Sequence, residues 1–329
     1  MRAGRILALM GPSGAGKTTL LNGLANRASY ARIEGEVQFA GRAMTSTDLT
    51  YVPQFDHING ALTVYEHLTL VGRLTCLDTP AMLKRAELLL NVLGLTEKRD
   101  TQVKDLSGGE VKRVSVGIGM ISNPYVLFLD EPTTGLDSTA AYSIVKYLVQ
   151  IATTTNVAII MTIHQPSALV FNMLDDLLLL ENGHVAYAGS IADAKEYFAS
   201  VGYSNPEDIN PADYYLDIVQ TDAQWKDKFI KSPFSDAFNK HLEAVFNSNA
   251  IQAQAVQPSM WSRFSTMFMH FMVYFIRERG MYINRALALI IIAVFLGTLY
   301  LRLDATTDNI ANYVGGELLC FIRRQIDIL

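Results

Sequence analysis

The stretch ILALMGPSGAGKTTLL, residues 6–21, decides the fold of this chain. Its first five residues are apolar and read as a buried strand, and the pattern after the glycine-rich loop is helical. The loop, GPSGAGKT, fits the spacing G-x-x-x-x-G-K-[ST], which binds phosphate when a strand precedes it and a helix follows it. Both conditions are met, so the sequence predicts a phosphate-binding loop between a strand and a helix.

Each residue type in this loop has a chemical reason. Gly11, Gly14 and Gly16 let the backbone wrap around an oxyanion. Lys17 reaches the β- and γ-phosphates of a nucleotide, and the hydroxyl of Thr18 ligates Mg²⁺. The residues that we expect to contact a nucleoside triphosphate here are Gly11, Pro12, Ser13, Gly14, Ala15, Gly16, Lys17, Thr18 and Thr19.

Further strands alternate with helices along the chain. YVLFLD (125–130) and VAIIMTI (157–163) are apolar throughout, as parallel strands are when helices cover both faces of their sheet. GEVQFAG (35–41) alternates like an exposed strand, and LLLLENGHVAYAG (177–189) reads as a hairpin that turns at its Asn-Gly pair. The sequence thus predicts an α/β fold with a mostly parallel sheet and helices on both faces.

Two adjacent carboxylates follow the apolar strand VLFL, residues 126–129. Asp130 and Glu131 stand at the carboxyl end of that strand, where parallel sheets place their ligand-binding residues. We predict that Asp130 holds the Mg²⁺ shell and that Glu131 orients or deprotonates an attacking water. A solvated acidic turn is the alternative, and the phosphate-binding loop disfavours it.

The net charge and the apolar surplus of the chain concern its partners. A formal net charge of −5 is unlike that of nucleic-acid-binding proteins, which present a basic face. The surplus lies after Trp261, where ALALIIIAVFLGTLYL (286–301) is an uncharged run between two arginines. At about 1.5 Å per residue the run is roughly 24 Å long, and flanking residues extend it across a bilayer. We therefore expect a lipid bilayer and no nucleic acid among the partners.

LSGGEVKRVS (106–115) offers a second set of groups suited to phosphate. Ser107 and two glycines open a predicted helix, so free backbone N–H groups and the positive end of the helix dipole face outward. A chain that already holds one triphosphate in its loop has no evident use of its own for this second site.

The motifs together resemble those of the nucleotide-binding domain of ATP-binding-cassette (ABC) proteins. Their order is the loop, VPQ with Gln54, LSGGE, LFLDEPTTGLDS, and TIHQPS with His164. DEPTTGLDS, IHQPS, NPADYYLD (210–217) and an apolar run after the ATPase further resemble the G subfamily, the White-type half-transporters. The resemblance implies a P-loop NTPase fold of ABC type, with a helical signature subdomain, a partial antiparallel β-subdomain and an α-helical transmembrane segment.

The resemblance also implies a role for each motif residue. Gln54 touches Mg²⁺ and senses the transmembrane domain, Asp137 crosses a dimer interface, and His164 contacts the γ-phosphate. The implied catalytic residues are Glu131, His164 and Gln54, and the implied metal ligands are Thr18, Gln54 and Asp130. The implied ATP contacts outside the loop are Gln54, Ser107, Gly108, Gly109, Glu110, Asp130 and Asp137.

In the family, two ATP-binding domains pack head to tail, so that each signature motif caps the ATP held by the other's loop. One self-complementary interface satisfies both surfaces, which gives the second phosphate site of this chain a purpose. The resemblance therefore implies an ABC ATPase whose ATP hydrolysis drives transmembrane export of a small lipophilic substrate. Its partner would be a second ABC half-transporter, identical or different.

The expected organisation has five segments. They are an ATP-binding domain over 1–202, a linker over 203–260, an amphipathic membrane-interface helix over 261–280, a transmembrane helix over 281–303, and an extracytoplasmic segment or the start of a truncated second span over 304–329. Arginines before the apolar run predict an integral membrane protein with a cytosolic ATPase domain. Relative to the family, we expect truncation at both ends, including loss of an N-terminal β-segment whose aromatic residue stacks on adenine.

Two other functions stay open at this point. One is a truncated, non-transporting subunit that dimerises with a full-length half-transporter and regulates it. The other is a soluble ABC ATPase, which the apolar run disfavours. An ordinary packed helix is the alternative for that run and for the aromatic segment before it.

Overall fold

The computed structural model divides the chain into two compact units, Met1–Tyr274 and Phe275–Leu329. The residues that it describes are 2–28, 32–35, 37–39, 42–45, 47–55, 58–75, 79–206, 208–221, 225–236, 258–277 and 279–300. The predicted sites all lie in the first unit.

A six-stranded sheet forms the centre of the first unit. The described strands are, in chain order, β1 (Ile6–Met10), β2 (Gln38–Phe39), β3 (Arg42–Ala43), β4 (Leu49–Val52), β5 (Val126–Leu129), β6 (Ala158–Thr162), β7 (Asp176–Glu181) and β8 (His184–Ser190). The sheet has the order β4-β5-β6-β1-β7-β8, and its neighbours are parallel except for the β7–β8 pair. Strands β2 and β3 form a separate antiparallel pair. The predicted mixed α/β sheet is thereby confirmed.

The register of the sheet aligns the carboxyl ends of its central strands. Val52 pairs with Leu129, Leu129 pairs with Met161, and Met161 pairs with Ala8. The residues that follow these four positions therefore lie along one edge of the sheet. This is the edge at which parallel sheets bind their ligands.

The β7–β8 hairpin turns where the sequence predicts it. Asn182 and Gly183 have φ angles of 46° and 78°. A two-residue hairpin turn of type I′ needs positive φ at both positions, which Asn and Gly tolerate best.

Helices cover both faces of the sheet. The described helices are α1 (Lys17–Leu24), α2 (Val64–Thr75), α3 (Thr79–Val92), α4 (Gly108–Met120), α5 (Ser138–Thr155), α6 (Ala168–Phe171), α7 (Ile191–Ser200), α8 (Pro211–Thr221), α9 (Trp225–Ile230), α10 (Met260–Arg277) and α11 (Arg279–Tyr300). Alternate residues of β5 enter two separate cores, with Leu127 and Leu129 in one and Val126 and Phe128 in the other. A strand buried on both faces must be apolar throughout, which explains the uninterrupted run in the sequence.

Helices α2, α3 and α4 pack on one another beside the sheet. Leu68, Met82 and Val114 are buried between them. Gly72 permits the close approach of α2 and α3, because a Cβ atom there would lie 2.5 Å from Cγ of Met82. This helical group presents the LSGGE segment at the start of α4.

Part of the segment predicted as a linker, 203–260, is instead packed into the first unit. Tyr215 of α8 stacks on Phe198 of α7 with ring centroids 4.4 Å apart, and Trp225 and Phe229 of α9 are buried nearby. The segment was predicted to be a linker because its composition is polar. A few aromatic side chains nevertheless bury enough apolar surface to pack two short helices against the first unit. Residues 237–257 lie outside the described part.

The chain continues into α10 and α11. One face of α10 exposes Trp261, Phe264, Phe268 and Phe271, whereas Thr266 is buried. Among the described residues, no helix is both long and apolar enough to cross a membrane. The span over 281–303 stays a prediction, because residues 301–303 lie outside the described part, as does the segment 304–329.

Candidate functional site

The phosphate-binding loop joins β1 to α1 in a conformation that requires glycine. Gly11 has a φ angle of 152°, and a Cβ atom there would lie 2.4 Å from the carbonyl oxygen of Leu180. Gly16 has a φ angle of 95° in the left-handed region and directly precedes the helix. The N–H groups of the first helical turn, which begins at Lys17, have no partner within the helix and suit an anion.

The Lys17 side chain folds back over this loop. Its ammonium group donates hydrogen bonds to the carbonyl oxygens of Gly11 at 2.8 Å and Pro12 at 3.0 Å. Burial lowers the pKa of Lys17, and the carboxylates of Glu131 and Asp130 partly oppose this effect. The predicted phosphate-binding lysine therefore lies in the field of both predicted carboxylates.

The Asp130 carboxylate accepts three hydrogen bonds from hydroxyl groups. Thr18 and Thr162 donate to Oδ1 at 3.1 and 2.8 Å, and Tyr51 donates to Oδ2 at 3.0 Å. Asp130 itself is buried, with 7% of its surface exposed. The structure therefore brings Thr18 and Asp130, two of the predicted metal ligands, into direct contact.

The donor atoms around Asp130 fit Mg²⁺, which prefers hard oxygen ligands and binds through one or two carboxylates together with phosphate oxygens and waters. Within the described part of the chain, no group of three or more His, Cys, Asp or Glu side chains is arranged to hold a metal. A Mg²⁺ site made of one carboxylate, one hydroxyl and the phosphates of a nucleotide supplies the oxygen ligands that Mg²⁺ prefers and needs no cluster of three such side chains.

Glu131 occupies a strained backbone conformation beside Asp130. Its φ angle is 47°, in the left-handed region that non-glycine residues seldom adopt. Its N–H donates to Oγ1 of Thr162 at 2.7 Å, and its carboxylate accepts from Nε2 of Gln54 and Oγ1 of Thr134, both at 2.9 Å. The structure thus joins Gln54 and Glu131, two of the predicted catalytic residues.

His164 lies just beyond the end of β6, exposed to solvent. The next residue, Gln165, has a φ angle of 42°. Among the described residues, none of the hydrogen bonds joins the His164 imidazole to another predicted site residue. The structure therefore places His164 at the same sheet edge, without a hydrogen bond to Glu131 among the described residues.

The LSGGE segment forms a capping box at the start of α4. The Ser107 N–H donates to Oε2 of Glu110 at 2.8 Å, and the Glu110 N–H donates to Oγ of Ser107 at 3.3 Å. The bond from the Ser107 N–H holds the pKa of Glu110 below its ordinary value. The remaining N–H groups at this helix start point outward and can meet an anion.

Asp137 caps the neighbouring helix α5. Its Oδ1 accepts from the N–H groups of Thr139 at 2.9 Å and Ala140 at 2.8 Å. Asp137 and the four residues 107–110 line one groove of about 440 Å³ between α4 and α5, and no residue of the loop 11–19 contributes to its lining. The predicted site residues therefore form two groups, one around the phosphate-binding loop and one in this groove.

Tyr51 and Thr162 are site residues that the sequence analysis did not single out. Both are polar residues near the ends of strands that flank β5, and each contacts Asp130 only because the sheet sets β4 and β6 beside it. The available signal was a polar residue close to a recognised motif residue, since Tyr51 lies three positions before Gln54, and Thr162 opens the TIHQPS motif two positions before His164.

Two family models match the chain. One, described as ABC transporter, matches residues 1–134. The other, described as ABC-2 type transporter, matches residues 164–233. Together they include the loop, the LSGGE segment, both carboxylates and His164.

Curated relatives are similar over most of the same region. ABC transporter G family member STR2 from Medicago truncatula is 40% identical over 228 residues, which cover 66% of this chain and 31% of that protein. ABC transporter G family member 8 from Dictyostelium discoideum is 32% identical over 334 residues, which cover 95% of this chain and 52% of that protein. The chain thus spans about a third of the first of these relatives and about half of the second.

A solved structure shares the fold. The cbiO1 protein of Clostridium perfringens, part of the ABC transporter complex cbiONQ, superposes with a TM-score of 0.54 and 25% identity, over 60% of this chain and 81% of that one.

Proposed function

We propose that this chain, a member of the G family of ABC transporters, is an ABC-type ATPase and works as one half of a dimeric exporter. In this proposal ATP hydrolysis drives a small, lipophilic substrate across a membrane. The observation that carries the catalytic part is the convergence of Lys17, Asp130, Gln54 and Glu131 at one edge of the sheet.

These residues suit phosphoryl transfer to water. Lys17 and the N–H groups of the loop would hold the β- and γ-phosphates. Thr18, Asp130 and Gln54 would hold Mg²⁺, which when bound neutralises charge on the phosphate oxygens. The Glu131 carboxylate would accept the proton of the attacking water as its oxygen bonds to the γ-phosphorus and the bond to the β-phosphate breaks.

The separation of the two groups of site residues supports a dimer. Ser107 and Asp137 line a groove to which the loop of the same chain contributes nothing. A two-fold arrangement of two such chains, or of this chain and a related one, would bring each groove against the other's loop. Each ATP would then contact both subunits.

The membrane association that we propose rests on α10 and α11. The apolar face of α10, with Trp261, Phe264, Phe268 and Phe271, has the character of a helix at a bilayer surface. The predicted span over 281–303 rests on the uncharged apolar run 286–301 of the sequence. Arg277, Arg279 and Arg285 before the apolar run favour a cytosolic position for the ATPase domain.

The variant Glu131→Gln tests the catalytic assignment. The amide keeps the size of the side chain but cannot accept the proton of water, so we expect phosphate release to fall by about a hundredfold or more. ATP should still bind, and an ATP-dependent dimer should accumulate in light-scattering measurements on the full chain. Glu196→Gln, on the exposed side of α7, is the matched control. Undiminished phosphate release by Glu131→Gln would contradict the proposal.

A further inference from the structure

The Asp130 carboxylate is held from both sides by hydroxyl groups of the adjacent strands. Tyr51 of β4 donates to Oδ2, and Thr162 of β6 donates to Oδ1. Strand β5, which ends just before Asp130, lies between these two strands in the sheet. Each carboxylate oxygen therefore has its own anchor on a different strand.

We propose that Tyr51 and Thr162 form a hydroxyl clamp that presets the Asp130 carboxylate for a divalent cation. Both are positioning residues, since they act through Asp130. The inference rests on the proposed function, because it takes the cation to be the one that accompanies ATP.

Thr162 links both carboxylate residues through one atom. Its Oγ1 accepts from the N–H of Glu131 at 2.7 Å while it donates to Asp130 at 2.8 Å, and the side chain is fully buried. A hydroxyl has one hydrogen to donate, so accepting from Glu131 directs that hydrogen towards Asp130. Thr162 thereby fixes the carboxylate of Asp130 and satisfies the strained backbone of Glu131 together.

The Tyr51 ring is itself held in place. The guanidinium of Arg27 lies over the ring, with its central carbon 4.5 Å from the ring centroid. This cation–π contact orients the ring whose hydroxyl reaches Oδ2 of Asp130. With both oxygens anchored, rotation of the carboxylate would break two hydrogen bonds.

The clamp leaves room for a cation. An ionised carboxylate offers about four lone-pair sites, and the hydroxyls of Tyr51, Thr162 and Thr18 occupy three of them. Thr18 is itself a predicted metal ligand, so its hydrogen bond can give way to the cation while the two clamp bonds persist.

A purely structural role is the competing explanation, because a buried carboxylate needs hydrogen-bond donors whether or not it binds metal. The two roles differ in what they predict for metal-free nucleotide binding. A structural defect would weaken nucleotide binding with or without a cation, whereas a positioning defect would weaken only the cation-dependent part.

The test uses Mn²⁺ as a paramagnetic substitute for Mg²⁺. The variants Tyr51→Phe and Thr162→Val, made in the whole 329-residue chain, each lose one clamp hydroxyl with little change in volume. Free Mn²⁺ is titrated by electron paramagnetic resonance in the presence of saturating ATP, and ATP binding in EDTA is measured separately with a fluorescent analogue. Partner groups of this kind typically contribute 10- to 100-fold to metal affinity, so we expect the Mn²⁺ dissociation constant to rise by about tenfold in each variant.

Three controls make the result decisive. Thr162→Ser restores the hydroxyl and should restore Mn²⁺ affinity, while Tyr214→Phe and Thr153→Val alter hydroxyls outside the site and should leave it unchanged. ATP binding in EDTA should stay within about twofold of the unaltered chain in all of them. Unchanged Mn²⁺ affinity in Tyr51→Phe, or an equal loss of nucleotide binding in EDTA, would overturn the clamp. If Thr162→Val does not fold, Tyr51→Phe and Thr162→Ser decide alone.

These measurements separate the clamp from the proposed function. A chain whose Mn²⁺ affinity is insensitive to the clamp variants but whose ATP turnover depends on Glu131 would refute the clamp and keep the ATPase assignment. A chain that binds neither ATP nor Mn²⁺ would refute both.

Discussion

Glu110 shows how one side chain serves both the fold and the predicted site. Its carboxylate accepts from the Ser107 N–H at the start of α4, and it lines the groove predicted to meet the partner's nucleotide. A negative charge in the first helical turn also interacts favourably with the helix dipole. The ionised form of Glu110 is therefore the form that the folded state stabilises.

We predict a pH-dependent effect for Glu110→Gln. The pKa of Glu110 lies below 4.5 in the folded state, so its ionised form adds stability above about pH 4.5, and this contribution disappears as the pH falls through the lowered pKa. Glutamine can keep the capping box but carries no charge. The substitution should therefore lower the free energy of unfolding by roughly 0.3–1 kcal/mol at neutral pH and by close to zero in acid. Urea unfolding of the variant and the unaltered chain, at pH 7 and below pH 4, measures this loss of free energy. An equal loss at both pH values would contradict a role for the Glu110 charge.

Motif spacing is enough to predict residues whose function depends on local sequence. Lys17 and Thr18 follow from the loop pattern, and Asp130 and Glu131 follow from an apolar strand that ends in two acids. Tyr51 and Thr162 do not follow in this way, because they reach Asp130 across neighbouring strands. Only the strand order and register of the sheet bring these hydroxyls to that carboxylate.

Helix α9 shows how a short element can depend entirely on packing. It has six residues, far fewer than an isolated helix needs in water. Trp225 is fully buried and makes edge contact with Phe198, with ring centroids 5.7 Å apart. The sequence of 203–260 gave little sign of this, since its aromatic residues pair only after α7, α8 and α9 have come together.

The two tryptophans of the chain provide a matched pair of variants. Trp225→Ala should lower the free energy of unfolding by about 3–5 kcal/mol, because it leaves a cavity in an aromatic core. Trp261→Ala, on the exposed face of α10, should change it by less than about 0.5 kcal/mol. Denaturant unfolding of the detergent-solubilised chain measures both. Similar values for the two variants would contradict the packing described for α9.

At the scale of the whole molecule, the two groups of site residues give the chain its expected mode of action. Lys17, Asp130 and Glu131 face one edge of the sheet, and Ser107 and Asp137 line a groove elsewhere on the first unit. The sequence predicted both groups. It predicted their sharing between two chains only through resemblance, since no local pattern encodes which surfaces of two molecules meet.

The most direct test of this shared site is complementation between two inactive variants. Lys17→Ala disables the loop of a chain, and Ser107→Asp keeps a good helix cap while setting a negative charge against the incoming phosphate. In an equal mixture about half of the dimers pair one variant with the other, and each such dimer has one intact site, so ATP turnover should recover to roughly a quarter of its normal rate. A mixture of Lys17→Ala and Glu131→Gln has both defects on the loop side and should stay inactive. Recovery in the first mixture alone is the predicted result, and two equally inactive mixtures would contradict a nucleotide site built from two chains.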